Sequence, residues 1–344
     1  MGDCNRRSFW APLICVAGII CAALLMVYGD YVTYADTPVG VGADNRVITV
    51  KIAKGSSFSD ISRMLTAHDL IRNERMFYLL AVAEGATKHV RAGEYEIDSA
   101  MSPRKILRKL VKGAIKEYRV SIPEGYTVRQ IATRLSAANL VDEQTFLHHA
   151  HDKEFLSSFS VPGESAEGYL FPDTYIFNRS MDERKILSMM IRQFGEEVTP
   201  AMRKKVEQIG FAADQIITLA SIIEKEGGQR EEKPLIAAVF HNRLKKRMRL
   251  QSDPTVIYGL DNFDGNLTKK HLRQKTPYNT YLIKGLPPGP ICNPGIDSIM
   301  AALYPASVNY LFFVSKNNGS HFFSADLATH NEAVLTYQIK RKRR

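Results

Sequence analysis

The sequence predicts an α+β protein that begins with a single membrane-spanning helix. A long uncharged apolar run lies near the N-terminus, and a strand-turn-helix pattern recurs in the middle of the chain. In the second half, amphipathic helices alternate with loops rich in Tyr, Asn, Gly and Pro. The 344 residues suffice for about two domains. Hydrophobic and charged fractions of 45% and 24% are typical of a globular protein and exclude a disordered one.

The N-terminal apolar run is expected to span a membrane. Phe9–Tyr28 is twenty residues without a charge, and at about 1.5 Å per residue such a helix is about as long as a bilayer core is thick. Arg6 and Arg7 precede the run, whereas Asp30 and further acids follow it. Because basic flanks stay in the cytoplasm, we predict a transmembrane helix at Phe9–Tyr28, a cytoplasmic tail over residues 1–8 and an external location for the remaining chain. A cleaved signal peptide is the alternative.

The segments that flank the folded part are predicted to be solvated. Residues 29–46 form the expected linker, because Asp36–Arg46 reads DTPVGVGADNR and is rich in turn-forming residues. At the other end, Lys340–Arg344 is a basic tail that supplies half of the net charge of +10. Such a tail is usually solvated, although it can contact anionic lipid or an anionic polymer. Nucleic acid is not predicted as a partner, because no zinc-finger spacing, clear helix-turn-helix or aromatic-rich RNA-binding motif occurs.

The cysteines and histidines indicate neither a disulfide framework nor a metal centre. Cys4, Cys15 and Cys21 lie in or before the apolar run, so Cys292 has no partner in the body of the chain. The nine histidines show no metal-ligand spacing. We therefore expect no metal and no cofactor.

A repeat with an offset of 70 residues organises the middle of the chain. Val50–Leu70 reads VKIAKGSSFSDISRMLTAHDL, and Val120–Leu140 reads VSIPEGYTVRQIATRLSAANL. Each copy is predicted to form a strand, a glycine turn and a helix with a polar N-cap. A partial third copy, Gly93–Gly113, is predicted to form a strand and a helix that starts at Ser102, with Pro103 in its first turn.

Small strand-turn-helix units of this kind resemble LysM modules, which bind the N-acetylated sugars of peptidoglycan and chitin. The resemblance implies a LysM-like region over residues 47–150. The alternative is a region that only positions the next domain, because any small α+β domain can show the same pattern.

A carboxylate at the end of an apolar helix is the candidate catalytic group. The stretch LASIIEKEGG, Leu219–Gly228, is predicted to be a helix that stops at its two glycines. Ile217, Ala220 and Glu224 share one helical face, whereas Glu226 points elsewhere. Partial burial and the negative end of the helix dipole both disfavour the ionised form of Glu224, which suits a general acid. The alternative is a half-exposed Glu that is paired with a Lys or Arg.

Loops in the second half carry side chains that are suited to sugar binding. Sugars need an apolar platform for their C–H face and paired donors and acceptors for their hydroxyls. Loop residues with ring, amide or carboxyl groups are the candidate substrate-binding residues: Glu167, Tyr175, Gln251, Asp253, Tyr278, Asn279, Tyr281 and Asn293. The alternative is that these are turn residues whose rings pack on the core.

Several motifs, in order along the chain, resemble the MltG (YceG-like) family of endolytic murein transglycosylases. They are LASIIEKE, FHNRL, RLQSDPTVIYG, TPYNTY, GLPPGPICNPG and HFFSADLATHN. The similarity covers the whole layout of an N-terminal anchor, a LysM-like region and a C-terminal catalytic domain, here residues 151–344. It implies that Glu224 is the catalytic acid, because the acid in this family is the Glu of the SIxEKE-type segment.

The resemblance also implies an activity and a location. The MurNAc–GlcNAc β-1,4 bond of nascent glycan strands would be cleaved, leaving 1,6-anhydro-MurNAc ends and limiting strand elongation. One carboxyl group would protonate the leaving oxygen and then take the proton of the MurNAc 6-hydroxyl, which attacks C1 of its own sugar. The implied partners are peptidoglycan synthases (penicillin-binding proteins). The implied location is the inner membrane, with a cytoplasmic N-terminus and a periplasmic catalytic domain.

Two other functions fit the sequence. A hydrolase would use a second carboxylate about 5 to 9 Å from the first, and Glu167, Asp173 and Asp253 are the alternative acids. A non-catalytic LysM-like scaffold would bind peptidoglycan and cell-wall synthases without cutting the strand. The motifs of the second half favour the enzyme, because they go well beyond what a LysM-like binder needs.

Overall fold

The computed structural model describes residues 7–40, 46–261 and 263–339. The basic C-terminal tail and most of the predicted cytoplasmic tail lie outside the described residues. The chain divides into a first unit, Met1–Tyr118 with Asn178–Ser180, and a second unit, Arg119–Phe177 with Met181–Arg344. The predicted boundary at residue 150 lies within the second unit, so the predicted LysM-like region of 47–150 includes residues of both units. As a division between domains, this boundary stays a prediction.

The first unit contains a long helix, an antiparallel strand pair and shorter helices. Its elements are α1 (Arg7–Asp36), β1 (Val47–Ile52), α2 (Phe58–Ala67), α3 (Glu74–Ala83), β2 (Gly93–Asp98) and α4 (Pro103–Lys112). β1 and β2 pair antiparallel, with Val50 opposite Tyr95. Leu65, Phe77 and Leu107 of the helices are fully buried with Tyr95 in one hydrophobic core. The apolar faces of the helices therefore cover the strand pair.

Helix α1 is longer than the sequence predicts. The predicted span 9–28 lies within it, and the apolar segment Leu13–Asp36, with a mean hydropathy of 2.2, is long enough to cross a bilayer. The predicted linker 29–46 is wrong over its first part, because the helix continues to Asp36. Residues 41–45 of that linker lie outside the described residues.

The C-terminal end of α1 is fixed to the rest of the first unit. The Tyr34 hydroxyl donates to the Asn73 carbonyl over 2.8 Å, and Arg104 pairs with Asp36 over 2.9 Å. Ala35 is fully buried in the hydrophobic core of this unit. These contacts explain why the helix does not end with the uncharged run: its last turns pack on α3 and α4.

The second unit begins with strands and short helices and continues into a helical body. Its elements are β3 (Tyr118–Ser121), α5 (Val128–Ala137), α6 (Glu143–Ala150), α7 (Lys153–Ser157), β4 (Thr174–Phe177), α8 (Glu183–Glu197), α9 (Pro200–Ile209), α10 (Ala213–Glu226), α11 (Lys233–Lys245), α12 (Asp253–Tyr258), α13 (Ile296–Leu303), β5 (Phe312–Ser315), β6 (His321–Ser324) and α14 (Leu327–Val334). β3 pairs with β4, and β5 pairs antiparallel with β6. Helix α10 is central, because residues 216–223 are all buried and α11, α12 and α13 pack around it.

The predicted strand-turn-helix repeat is confirmed. β1 with α2 forms the first copy, β3 with α5 forms the second, and β2 with α4 forms the partial third. The turn has a positive φ at Gly55 (86°) and at Gly125 (75°), a conformation that favours glycine. A capping box fixes the start of each main helix, through Ser57 in the first copy and Thr127 in the second.

Candidate active site

Glu224 lies in the last turn of α10, where a buried helix meets the surrounding loops. Residues 216–223 before it are buried, and the Glu224 side chain is only 10% exposed. The helix ends at Gly227, which has a φ of 74°. The prediction that Glu224 continues the buried face of Ile217 and Ala220 is confirmed.

Hydrogen-bond donors surround the Glu224 carboxylate. Lys233 Nζ lies 3.2 Å from Oε2 and 3.3 Å from Oε1. The Ser298 hydroxyl donates to Oε2 over 2.7 Å, and the Gly295 N–H donates over 3.0 Å. Gly295 and Ser298 lie at the start of α13, where the helix dipole favours an anion. The two alternatives predicted for Glu224 were a partly buried acid and a half-exposed acid paired with a Lys or Arg. The structure has features of both, because the carboxylate is buried and is also paired with Lys233.

Lys233 connects Glu224 to a second acid. It is the first residue of α11 and is 8% exposed. Its ammonium group lies 3.2 Å from Glu224 and 3.8 Å from Glu124. Burying an ammonium group is costly unless negative charge accompanies it, and the two carboxyl groups supply that charge. The lysine therefore brings both acids to one place in the second unit.

Glu124 is a site residue that was not predicted from the sequence. It lies in the turn between β3 and α5, and its side chain is 48% exposed. Its carboxyl group occupies the space that a Cβ on Gly295 would need. Burial and the charge of Glu224 raise the pKa of Glu124, while Lys233 acts in the opposite direction. The available signal was a charge difference at this position between the two copies of the repeat.

Asn293 joins the β3–α5 turn to the loop before α13. Its N–H donates to the Tyr126 carbonyl over 2.9 Å, and its carbonyl accepts from the Gly125 N–H over 2.9 Å. Its side-chain amide donates to the Tyr126 carbonyl (2.9 Å) and to Glu167 (3.1 Å). Asn293 is 1% exposed. Asn293 therefore shapes the site from within the protein, and its predicted contact with the substrate stays a prediction.

Glu167 supports the same region and is likewise buried. Its carboxyl group accepts hydrogen bonds from the Val128 N–H (3.1 Å), the Asn293 amide (3.1 Å) and the Tyr258 hydroxyl (3.2 Å). Burial raises the pKa of Glu167 to about 8, against the effect of the bonds from Val128 and Tyr258. The group is enclosed by its own protein partners, and its predicted roles as a substrate contact or an alternative acid stay predictions.

Tyr175 and Asn279 are further predicted contacts that the fold encloses. The Tyr175 ring stacks on Phe177 with centroids 5.4 Å apart, and its hydroxyl donates to the Phe171 carbonyl over 2.6 Å. The Asn279 side chain is fully buried, and its amide donates to backbone carbonyls of its own loop over 2.8 and 3.1 Å. These internal contacts agree with the structural alternative, and the substrate contacts of both residues stay predictions.

The remaining predicted contacts lie on two loops that the structure brings together. The Tyr281 hydroxyl donates to Asp253 over 2.6 Å, and the Gln251 N–H donates to the Thr280 carbonyl over 3.2 Å. Tyr278 packs its ring against the last residue of α12, with centroids 4.8 Å apart. Gln251 and Asp253 are exposed, and both tyrosines are partly exposed. As sugar contacts, these four residues remain predictions.

Glu226 is more enclosed than its position off the Glu224 face suggests. Burial of its carboxyl group raises the pKa of Glu226 to about 7, and the charge of Asp253 acts in the same direction. Arg243 acts against both. A substitution at Glu226 is therefore unsuitable as a control for a substitution at Glu224.

Comparison with known proteins places this chain in a family. Residues 50–336 match the YceG-like family. A Bacillus subtilis (strain 168) protein named endolytic murein transglycosylase is 34% identical, over an alignment that covers 84% of each chain. A Streptococcus pneumoniae (strain D39) protein of the same name is 27% identical, over an alignment that covers 90% of this chain but only 62% of that protein. The crystal structure of a YceG-like protein from Listeria monocytogenes is 35% identical, with a TM-score of 0.58 over 84% of this chain and all of that one.

Proposed function

This chain belongs to the YceG-like family, and on that premise we propose that it is an endolytic lytic transglycosylase of peptidoglycan. The substrate is the MurNAc–GlcNAc β-1,4 bond within nascent glycan strands, and the product ends in 1,6-anhydro-MurNAc. Cleavage limits strand elongation. The observation that carries the proposal is a carboxylate, Glu224, at the end of a buried helix and among the donors of Lys233, Gly295 and Ser298.

The reaction consists of two proton transfers around one sugar. The leaving glycosidic oxygen gains a proton as its bond to C1 breaks, and the MurNAc 6-hydroxyl loses a proton as its oxygen bonds to the same C1. The attack is intramolecular, so little further translational entropy is lost. A carboxyl group whose pKa lies near the working pH can make such transfers, and each transfer typically increases the rate by about 10²- to 10⁴-fold. Glu224 is the residue we assign to the reaction centre.

Substrate binding is assigned to the two joined loops. Tyr278 and Tyr281 supply ring faces for the apolar side of a sugar, and Gln251 and Asp253 supply polar groups for its hydroxyls. Their partial exposure supports this assignment. A variant of Tyr281 to Phe keeps the ring but loses the hydroxyl that holds Asp253. It should raise KM for glycan strands more than it lowers kcat, and an unchanged KM would contradict the assignment.

The first unit is proposed to assist glycan binding. β1, α2, α3 and β2 follow one another, and the strands pair antiparallel, an order consistent with the LysM-like interpretation. The competing function is a non-catalytic scaffold that binds peptidoglycan and cell-wall synthases. Incubation with murein sacculi separates these functions: an enzyme binds and cuts the strands, whereas a scaffold binds them without cutting.

Helix α1 is proposed to anchor the chain in the inner membrane, with the N-terminus in the cytoplasm and the second unit in the periplasm. Its length and hydropathy support a single pass, and Arg6 and Arg7 at its N-terminal end support the orientation. Penicillin-binding proteins, which make the strands, are the proposed partners. A C-terminal alkaline phosphatase fusion should be active, and an inactive fusion would contradict the orientation. Cross-linking in cells followed by affinity purification should recover a synthase, and its absence would count against the partner.

The activity is tested with the full-length chain in detergent and un-crosslinked glycan strands. Mass spectrometry of the wild-type digest should show new ends that are lighter by one water than reducing MurNAc ends. Glu224→Gln should lose about 10³-fold or more in rate, because an amide of the same size neither gives nor takes a proton. Glu154→Gln, on an exposed position of α7, is the matched control and should keep the wild-type rate. Reducing ends alone would indicate a hydrolase, and an active Glu224→Gln would place the reaction centre elsewhere.

A further inference from the structure

The contacts around Glu224 point to a second acid in the same reaction. We infer that Glu124 gives its proton to the leaving glycosidic oxygen, and that Glu224 takes the proton of the attacking 6-hydroxyl. This inference rests on the proposed function. Glu224 alone was expected to make both proton transfers in turn, whereas here each of the two acids makes one of them. Lys233 and Gly295, which contact both acids, hold them in place.

Glu224 is suited to act as the base. Both of its oxygens lie within 3.3 Å of the Lys233 ammonium group. Oε2 also accepts hydrogen bonds from the Gly295 N–H and the Ser298 hydroxyl. The donors are unevenly placed: among the described residues, Oε2 accepts from Lys233, Gly295 and Ser298, whereas Oε1 accepts from Lys233 alone. Oε1 therefore has a lone pair that can receive a proton from the substrate, which is the role of a base.

Glu124 is suited to act as the acid. Its side chain is 48% exposed, so a substrate can reach it. Within residues 7–40, 46–261 and 263–339, its carboxyl group accepts no hydrogen bond, and Lys233 at 3.8 Å is its ion-pair partner. Burial and the neighbouring charge of Glu224 raise the pKa of Glu124. A carboxyl group with these surroundings carries a proton more readily than an ordinary surface glutamate does.

The two carboxyl groups are close enough to act on one sugar. Lys233 Nζ lies 3.2 Å from a Glu224 oxygen and 3.8 Å from a Glu124 oxygen, so these oxygens are at most about 7 Å apart. This upper limit is within the range of about 5 to 9 Å that separates the two acids of glycosidases. The 1,6-anhydro bridge closes on the face of the sugar that the leaving group vacates. Both proton transfers therefore occur on one face, and two neighbouring acids fit that arrangement.

The turn that carries Glu124 is fixed against α10. Lys225 Nζ donates to the Gly125 carbonyl over 3.4 Å, and the Gly125 N–H donates to the Asn293 carbonyl over 2.9 Å. A Cβ on Gly125 would meet Glu224 Cγ at 3.6 Å, so the backbone of the turn packs on the second acid. The position of Glu124 relative to Glu224 is therefore set by the backbone of the second unit.

The proposed step is balanced within the substrate and the two acids. The Glu124 O–H proton moves to the glycosidic oxygen, which keeps the electron pair of the breaking C1–O bond. The 6-hydroxyl oxygen gives an electron pair to C1, and its proton moves to Glu224. Glu124 is then ionised and Glu224 is protonated. Proton exchange with water returns both groups to their starting forms.

An activated leaving group distinguishes the two acids. A phenolate-type leaving group departs without protonation, whereas the sugar hydroxyl of a glycan strand does not. Glu124→Gln in the full-length chain should lose about 10²- to 10⁴-fold on glycan strands but less than about tenfold on an aryl β-glycoside of GlcNAc-MurNAc. Glu224→Gln should be inactive on both substrates. Glu154→Gln and the wild type should cleave both.

The pH dependence of kcat/KM on glycan strands is an independent test of the role of Glu124. Because the acid must be protonated, wild-type kcat/KM should fall as pH rises through the raised pKa of Glu124, and this fall should be absent from Glu124→Gln. Wild-type activity of Glu124→Gln on strands would overturn the inference, and so would an equal loss on both substrates or an unchanged profile. Activity of Glu224→Gln, or a wild-type digest with only reducing ends, would instead overturn the proposed function.

Discussion

The turn before α2 and the turn before α5 come from one sequence pattern but have different surroundings. Gly55 and Gly125 both have a positive φ, and the residues before them, Lys54 and Glu124, stand at equivalent positions of the repeat. Among the described residues, nothing lies within 4 Å of a Cβ on Gly55, whereas Gly125 packs against the Glu224 side chain. The repeat therefore specifies the backbone of the turn, and the neighbours in the second unit give one of the two turns its chemistry.

Each unit also buries a glutamate, and the partners decide its protonation. Burial acts to raise the pKa of Glu94 in the first unit, but the Tyr118 hydroxyl and the Arg179 guanidinium outweigh it, so the pKa is lowered. Arg179 lies 3.2 Å from the Glu94 carboxylate. Glu167 in the second unit has an amide, a hydroxyl and a backbone N–H as partners, and burial raises its pKa to about 8. A cation in contact with the buried carboxylate therefore reverses the effect of burial.

Exchanging the charges of the two turns should give the largest effect. Glu124→Lys places a second ammonium group beside Lys233 and removes a proton donor, so we expect a loss of about 10³-fold or more in strand cleavage. Lys54→Glu, the reciprocal change on the exposed turn, should leave the rate within about twofold of wild type. Initial rates on glycan strands and melting temperatures measure both. Equal losses in the two variants would show that the turns are not distinguished by their surroundings.

Alanine substitutions at Gly55 and Gly125 should affect stability alike but activity differently. An alanine at a positive φ costs about 1 to 2 kcal/mol in either turn, so Gly55→Ala and Gly125→Ala should lower stability to urea by similar amounts. Gly125→Ala should also lower kcat by about 10- to 100-fold, because a displacement of about 1 Å near reacting groups is costly. Gly55→Ala should keep the wild-type kcat. A Gly125→Ala variant with full activity would show that this turn need not be held closely against Glu224.

The buried glutamates should give opposite pH dependences of stability. The lowered pKa of Glu94 contributes stability above its unfolded pKa, and this contribution is lost as pH falls through the folded value. The raised pKa of Glu167 contributes stability below its unfolded pKa, and this contribution is lost as pH rises towards 8. Each pKa unit corresponds to about 1.4 kcal/mol.

Urea unfolding of the full-length chain across this range measures the difference. Glu167→Gln should remove a decline in the free energy of unfolding between about pH 5 and 8, by about 1 kcal/mol or more. Glu94→Gln should instead cost most at neutral pH and little under acid conditions. Parallel curves for the two variants and the wild type would show that neither glutamate changes its protonation on folding.

Periodicity in the sequence was sufficient to determine the features that depend on neighbours along the chain. The uncharged run specified a helix that fits a bilayer, and the offset of 70 residues specified two strand-turn-helix copies with glycine turns. The spacing of Ile217, Ala220 and Glu224 specified the buried face on which the carboxylate lies. These are properties of one helix or one turn, and side-chain direction there follows from the backbone repeat.

The contacts between polar groups of the site depend on the packing of distant segments. Lys233, Ser298 and Glu124 reach Glu224 from elements that are 9 to 100 positions away in sequence, and no local spacing records such contacts. Glu167, Asn293 and Asn279 resembled exposed loop residues in the sequence, but the fold buries them because each satisfies donors or acceptors of a neighbouring loop. The end of α1 was likewise set by packing, since its last turns bury Ala35 and pair Asp36 with Arg104. Burial and pairing of a polar group depend on surfaces that exist only once distant segments have packed together.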